Sequence, residues 1–554
     1  MIKTRRWLVC SAWPYINYVP HLGTMIGSVL SADVFARYLR LRGDEVVFVS
    51  GSDEHGTPIE VEAIKRGIPP RKLTDEMHQK VKEIFDDWGI TFDNYTRTES
   101  PTHKGFVQRF YMKVYENGHI FSEEIEMLYC PKCGRFLPDR FVEGTCPYCG
   151  HENARGDQCE NCGRLLDPVE LKSPRCAICG STPEVKKTIH WFFDLPKFEE
   201  DLKRYVEGNK QLPENARNFS LNLLKEGLRP RSLTRDNEWG IPAPFPGAEK
   251  KTIYVWMEAV LGYVSATIEW AKNIGKPDEW KKYWFDPQTK SVYFIAKDNI
   301  PFHVLILPAL LMASGERYNL PWNVASTEFL LFAGKPFSKS RRWGVWADEA
   351  LEKYPADYWR YYLISIRPET KDSSFTWEDF QAKINNELVD ILGNFVHRTL
   401  TFVYRRFDGR VPERHEFTEV DREIVASIQE TPDVVAGFLE RFKFKDALSE
   451  VMKLARRGNK YLNDKAPWHK IKINKEDAET TLYLCCQLTR SLAILMEPFM
   501  PFTSEKIWEM LNLEGSVHDR GNWETAKELA IPPGHPIKKP YPLFQKILEI
   551  EKQT

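Results

Sequence analysis

The chain carries almost no net charge. Its 77 lysines and arginines stand against 78 aspartates and glutamates, leaving −1 over 554 residues. Global charge therefore argues neither for nor against a nucleic-acid partner; only a local patch could. A long apolar run is also missing. The longest, Val304 to Ala313, is too short to span a bilayer and contains Pro308, so no membrane association is expected. The basic start and short apolar stretch superficially suggest a secretion signal, but Trp13-Pro14-Tyr15 ends the stretch too soon. There is no low-complexity segment, and no internal repeat outside one cysteine-rich stretch. Beyond that stretch only Cys10, Cys485 and Cys486 remain, in apolar settings that read as core. With nothing pointing to secretion, the cytoplasm is the expected compartment. What is present, 42% hydrophobic and 28% charged residues, describes a soluble globular protein long enough for about three or four domains.

Two short words far apart carry the chemistry. The first is Pro20-His21-Leu22-Gly23-Thr24, between an apolar strand (Trp7 to Ala12) and a helical pattern, Ile26, Val29, Leu30, Phe35, Tyr38, Leu39, that ends at Gly43. Glu45 to Ser50 reads as the next strand, completing a β-α-β unit. A helix start offers free N–H groups and a positive dipole end to a phosphate. Gly23 permits close approach of a nucleotide, and His21 can donate to a phosphate oxygen; the plain alternative is a capping histidine. The second word is Phe337-Ser338-Lys339-Ser340, followed by Arg341 and Arg342. A cationic loop there could close over a triphosphate, or be a solvated turn. Together the two words suit transfer of AMP from ATP to a carboxylate, where the substrate is the nucleophile. The protein then only positions groups and neutralises charge moving onto pyrophosphate.

Eight of the 11 cysteines form four Cys-x-x-Cys-Gly words within 51 residues: Cys130/Cys133, Cys146/Cys149, Cys159/Cys162 and Cys176/Cys179. Each closes with a glycine suited to a tight turn. Eight thiolates are enough for two tetrahedral zinc sites, and four thiolates per ion leave no open position for catalysis. Disulfides are the weaker alternative. Loop closure mildly favours pairing of neighbouring words.

These features divide the chain into a parallel α/β domain, first half 1–118; an insertion with the knuckles, 119–230; the second half of the α/β domain, 231–325, with strands such as Thr252 to Val255 and Val292 to Ile295; a connecting region with the Lys339 loop, 326–385; and a helix bundle, 386–554. In the bundle glycine becomes sparse and helical periods such as Leu388, Ile391, Leu392, Phe395, Val396 dominate. An amino-acid site belongs at the carboxyl ends of the parallel strands. Asp53 stands at such an end and could bind an ammonium, or cap a helix. Tyr15, Trp256, Tyr263, Phe302 and His303 supply an aromatic cluster suited to a thioether, though plain core is the commoner role. Residues 441–475 hold 11 lysines and arginines against three acids; this bias could bind phosphates or face solvent.

The two words resemble the His-Ile-Gly-His and Lys-Met-Ser-Lys-Ser signatures of class I aminoacyl-tRNA synthetases. Four further blocks resemble the methionyl-tRNA synthetases: Ala12 to Tyr15, Gly51 to Thr57, Tyr254 to Ala259, and Phe294 to Asp298 running to Phe302-His303. The wording of the first block and the number of knuckles are closest to the archaeal and eukaryotic branch. The chain departs from the pattern at Thr24, where a second histidine is usual, and at Pro336, where a lysine is usual and Lys335 lies one residue early. Trp13 replaces a common leucine, and Val260 a proline found in some relatives.

The resemblance implies a Rossmann-like catalytic domain with a zinc-knuckle insertion and a helical anticodon-binding domain. It implies ATP-dependent activation of L-methionine and its transfer to the 3′ end of tRNA(Met). His21, Thr24 and Lys339 would be catalytic; His21, Gly23, Thr24, Ala296, Asp298 and Lys339 would hold ATP with Mg2+. Trp13, Tyr15, Asp53, Trp256, Val260, Tyr263 and His303 would shape the methionine pocket; His55 and Glu258 are motif members without an assigned role. The resemblance favours nested knuckles, with Cys146/Cys149 and Cys159/Cys162 sharing one Zn2+ and the outer words a second. Asn394, Arg398 and Trp468 would read the anticodon, by hydrogen bonding and stacking. With no appended dimerisation module after the bundle, a monomer is expected. Two rivals are a small-molecule nucleotidyltransferase, which needs neither knuckles nor bundle, and a zinc-knuckle nucleic-acid-binding protein that has lost catalysis.

Overall fold

A computed structural model describes residues 4–550 except 139–140, 157–158, 160–165 and 339–341; the expectations for Cys162 and Lys339 therefore fall outside the described residues. Five parallel strands form the central sheet: β1 (Arg6–Ser11), β2 (Glu45–Ser52), β3 (Asn94–Arg97), β6 (Thr289–Ala296) and β7 (Asn323–Thr327), in the order β7-β6-β1-β2-β3. The central strands β1, β2 and β6 carry the longest apolar runs, as a sheet covered on both faces requires; the edge strand β3 is polar. From β1 the chain moves outward through β2 and β3, then returns through β6 on the other side. The strand order thus reverses between β1 and β6, and an open α/β sheet binds ligands at the carboxyl edge of such a point.

On one face lies the helix Leu30–Leu41, in which every residue but Arg40 is buried. A helix that is buried all round needs partners on both sides. Phe35 packs edge-on against Trp7 of the sheet, with ring centres 5.5 Å apart, and against Phe442 and Phe444 at 5.0 and 6.4 Å. The helical C-terminal region thus sits directly on this helix. Charge seals the same seam. Buried Arg360 donates to Asp33 at 2.7 Å and to the carbonyls of Pro498 and Phe499 at 2.9 and 3.0 Å. Arg37 joins Asp33 at 2.9 Å and also pairs with Glu497. Buried charges persist only when paired; burial opposes ionisation of Asp33, yet the two guanidiniums hold its pKa down at about 2. The other face of the sheet carries the helices Pro101–Glu116 and Gly262–Asn273.

Between β3 and β6 a long antiparallel ribbon, β4 (Ile120–Cys130) with β5 (Glu184–Phe193), projects in the register Phe121↔Phe192 to Tyr129↔Glu184. The knuckles lie between its strands in sequence. Thr252 to Val255 does not join the sheet: only Thr252–Ile253 is extended, paired antiparallel with Thr234–Arg235, and Val255 already begins a helix. In the C-terminal region the period around Leu388 is a π-helical stretch, Ile384–Gly393, continuing into Asn394–Arg406. Three longer helices follow, Glu419–Leu439, Phe444–Lys465 and Lys475–Met496. Among the described residues no helix is long and apolar enough to cross a membrane.

Candidate active site and metal centres

The first signature sits at the carboxyl end of β1. His21 precedes the short helix Leu22–Thr24, which runs through a π-helical turn, Met25–Val29, into Leu30–Leu41. Its Nδ1 accepts from the Thr24 N–H at 3.3 Å, and its carbonyl from the Met25 N–H at 3.1 Å. His21 does cap the helix, as the plain alternative had it, and this fixes the ring orientation. Phe337 of the second signature stacks on that ring, 4.6 Å between centres and 7° from parallel. The Leu22 N–H donates to the Val345 carbonyl at 3.1 Å and the Ala347 N–H to that of Pro20 at 2.9 Å. The loop bearing Lys339 is therefore anchored at both ends against the first signature. Gly23 is needed here: a Cβ would lie 3.0 Å from the His21 ring. Gly27 sits against Ala296, at the end of β6, which brings the β6 edge to the same place. Lys335 is exposed, its ammonium 5.6 Å above the Trp343 ring.

The expected amino-acid pocket lies beside this, at the ends of β1 and β2. Tyr15 and Asp53 form a parallel bridge, with the Asp53 N–H bonded to the Pro14 carbonyl at 3.0 Å. The Tyr15 hydroxyl donates to the His55 carbonyl. Trp13 lies edge-on to Tyr263 at 6.5 Å and tilted on His103 at 5.7 Å. Its indole occupies space made by two glycines, since a Cβ on Gly51 or Gly262 would come within 2.7 or 2.6 Å of it. The His303 Nδ1–H donates to the Asn299 carbonyl at 2.9 Å, so Nε2 accepts from the Tyr263 hydroxyl at 2.8 Å. Burial holds His303 neutral, with its pKa near 4. Trp256 packs edge-on against Phe302 at 4.9 Å and remains 42% exposed, while Val260 is buried. The candidate pocket thus offers aromatic side chains and a buried carboxylate, Asp53. Such a site suits a ligand with a polarizable apolar end and an ammonium.

The knuckles are nested. Sγ of Cys130 lies 3.5 Å from that of Cys179, and Sγ of Cys133 lies 3.8 Å from that of Cys176. All four sulfurs fall within 4.8 Å of one another. Four sulfurs at about 2.3 Å from a central ion would stand about 3.8 Å apart, so this donor set fits zinc, and the contacts are far too long for disulfides. Cys146, Cys149 and Cys159 form a second group, with 3.6 Å between the last two; Cys162 lies outside the described residues. Pairing of neighbouring words is thereby overturned for the outer pairs. In the turns the N–H of Gly134, Gly150 and Gly180 reaches back to the carbonyl of Cys130, Cys146 and Cys176 at 2.8–3.1 Å. All three glycines have φ near +70°, where a side chain would be strained.

In the bundle Arg398 lies over the Trp468 ring at 5.2 Å and donates to Asn463 at 2.9 Å. Asn394 is exposed one turn before Arg398 on the same helix. Part of the basic excess around them is spent internally: Lys465 pairs with Asp421 at 3.0 Å and with Asp477, which also takes Lys470.

Sequence comparisons resolve the family. A family model described as tRNA synthetases class I (M) matches residues 7–400, and one described as the anticodon binding domain of methionyl tRNA ligase matches 411–554. The chain belongs to the class I tRNA synthetases of the M type. A methionine–tRNA ligase of Thermofilum pendens is 59% identical over 547 residues, covering 99% of this chain and 96% of the relative. One of Korarchaeum cryptofilum is 58% identical over 518 residues, covering 93% and 92%. A Mycobacterium tuberculosis methionyl-tRNA synthetase, solved with methionyl-adenylate, superposes with a TM-score of 0.81 at 24% identity, covering 98% and 99%, and so shares the fold.

Sequence reasoning passed over several residues that complete the site. Phe337 was read only as part of its word. Glu99 and His103 belong to no motif, and neither does Trp239, whose Nε1–H donates to the Glu54 carbonyl at 2.6 Å. Only their approach in space marks them.

Proposed function

We infer that the chain is a methionine–tRNA ligase: with ATP it converts L-methionine to methionyl-adenylate and passes the methionyl group to tRNA(Met). The single observation that carries this is near-identical length and 58–59% identity to archaeal ligases of that name, on a fold whose carboxyl edge gathers both signatures.

The finer assignments are proposals supported by the geometry. Asp53 takes the methionine ammonium, and Trp13, Tyr15, Trp256, Val260, Tyr263 and His303 enclose the side chain. His21, Gly23, Thr24, Ala296 and Asp298 border ATP, with Mg2+ on its phosphates and Lys339 neutralising the departing pyrophosphate. Zn2+ held by Cys130, Cys133, Cys176 and Cys179, and a second ion held by Cys146, Cys149, Cys159 and Cys162, would brace the insertion and take no part in the reaction. Asn394, Arg398 and Trp468 read the anticodon. All these groups come from one chain, so a monomer suffices, working with translation in the cytoplasm. The test is charging of tRNA(Met) with methionine, set against the same tRNA with a changed anticodon. Strong charging of the CAU form and weak charging of the other is expected; indifference to the anticodon would overturn the reading of the bundle, and no charging of either would overturn the function.

A further inference from the structure

Asp53 carries out its proposed task in surroundings that oppose it. Its carboxylate is buried, and Oδ1 has no hydrogen-bond partner among the described residues. Burial and the neighbouring Glu258 push its pKa well above the ordinary carboxylate value, while His55 pulls the other way. Glu258 is itself fully buried, and its Oε2 also lacks a partner among those residues. Two such carboxylates do not ionise together unless positive charge stands beside them.

That charge is present in the motif residue left without a role. The buried His55 ring has Nδ1 2.6 Å from Glu258 and Nε2 2.7 Å from Glu99. A neutral imidazole has one N–H and can donate to one carboxylate; donating to two ionised carboxylates requires the imidazolium. Burial disfavours the charged ring, yet the two carboxylates hold its pKa up at about 10. The remaining groups around it are accounted for. Glu99 also takes Arg71 and Lys104, and its pKa is held near 2 by His55 and Lys104 against burial. Glu54 pairs with Arg97 at 2.8 Å, and burial still lifts its pKa to about 7. Burial, with the charges of His55 and Lys104, keeps His103 neutral at about 3. The Trp239 ring lies edge-on to the imidazole at 5.5 Å.

We propose that His55 is a positioning residue for methionine activation: its positive charge favours the ionised form of Asp53 that takes the substrate ammonium, its hydrogen bond to Glu258 clamps the helix bearing Trp256 against the Asp53 segment, and its hydrogen bond to Glu99 ties that segment to the turn after β3. This rests on the reading of Asp53 as the ammonium site. An ammonium binds the ionised carboxylate, so kcat/KM for methionine falls as pH drops through the Asp53 pKa of the free enzyme. Removing the imidazolium raises that pKa and moves the acid limb to higher pH. Removing the charge of Glu258, with the Glu99 carboxylate on Nε2 still holding the imidazolium, lowers it and moves the limb to lower pH.

The experiment is methionine-dependent pyrophosphate exchange by the full chain, with pH profiles for wild type, His55→Gln and Glu258→Gln. A wild type that does not activate methionine refutes the functional reading. Given an active wild type, His55→Gln should raise KM for methionine about ten-fold or more, as expected when one partner leaves buried charges unpaired. KM for ATP should stay within about two-fold, since the nucleotide edge is untouched. The acid limbs of the two variants should move in opposite directions. Limbs that stay put, or KM values for both substrates rising together, would show a merely structural role and overturn the proposal. Should His55→Gln not fold, Glu258→Gln decides alone: a limb that fails to move down overturns it.

Discussion

The knuckles and the floor of the candidate amino-acid pocket are built on opposite plans. Each knuckle gathers its ligands from a few consecutive residues, and a glycine at φ near +70° closes the three whose turns are described. The pocket floor gathers His55, Glu99 and Glu258 from three distant segments, and its packing depends on glycines 51 and 262 making way for Trp13. The two regions nonetheless touch. Arg135, beside the first knuckle, pairs with Glu60 at 2.8 Å, in the helix Thr57–Arg66 that follows the His55 segment. On the proposed reading the local unit depends on a zinc ion for its stability; the non-local one depends on the whole fold.

The largest effect should come from the metal. A structural zinc is worth on the order of 10 kcal/mol to a small domain. Cys133→Ser should therefore lose one of two zinc ions per chain and unravel the outer knuckle, as read by metal analysis and limited proteolysis. Methionine binding should survive at reduced strength through the Arg135–Glu60 tie. Its complete loss would show that the two regions form one cooperative unit. On the pocket side, Lys339→Ala should slow single-turnover adenylate formation by about 100-fold, near 3 kcal/mol of transition-state stabilisation, with methionine binding little changed. A near-wild-type rate would hand the role to Lys335 or Arg341. A pair of glycine substitutions sharpens the contrast. Gly262→Ala puts a methyl into Trp13 and should cost about 1–3 kcal/mol by overpacking, read as weaker methionine binding and a lower Tm. Gly134→Ala meets no neighbour within 4 Å and bears only the left-handed backbone, about 1–2 kcal/mol. It should lower zinc affinity and leave methionine binding alone.

The same contrast explains what could be read from the chain. The strand before His21, the helix ending at Gly43 and the three knuckles whose turns are described were legible because each is a local pattern: apolar periodicity, a turn glycine, ligand spacing. Thr252 to Val255 misled because a short apolar run next to an aromatic fits a strand and a helix start equally well. The π-helical insertions at Met25–Val29 and Ile384–Gly393 leave no mark in the apolar period. Glu99 was illegible because a lone glutamate on a turn says nothing until the fold brings His55 to it. The candidate pocket residues, with His55 and Glu258, were named from recognisable blocks; Glu99, which the fold brings to His55, was not.

Amino-acid-dependent pyrophosphate exchange, run without tRNA against each standard amino acid, tests the account most directly. Methionine should support exchange well above every other amino acid, as the proposed function requires. Equal or faster exchange with leucine or another residue, or none with methionine, would contradict it.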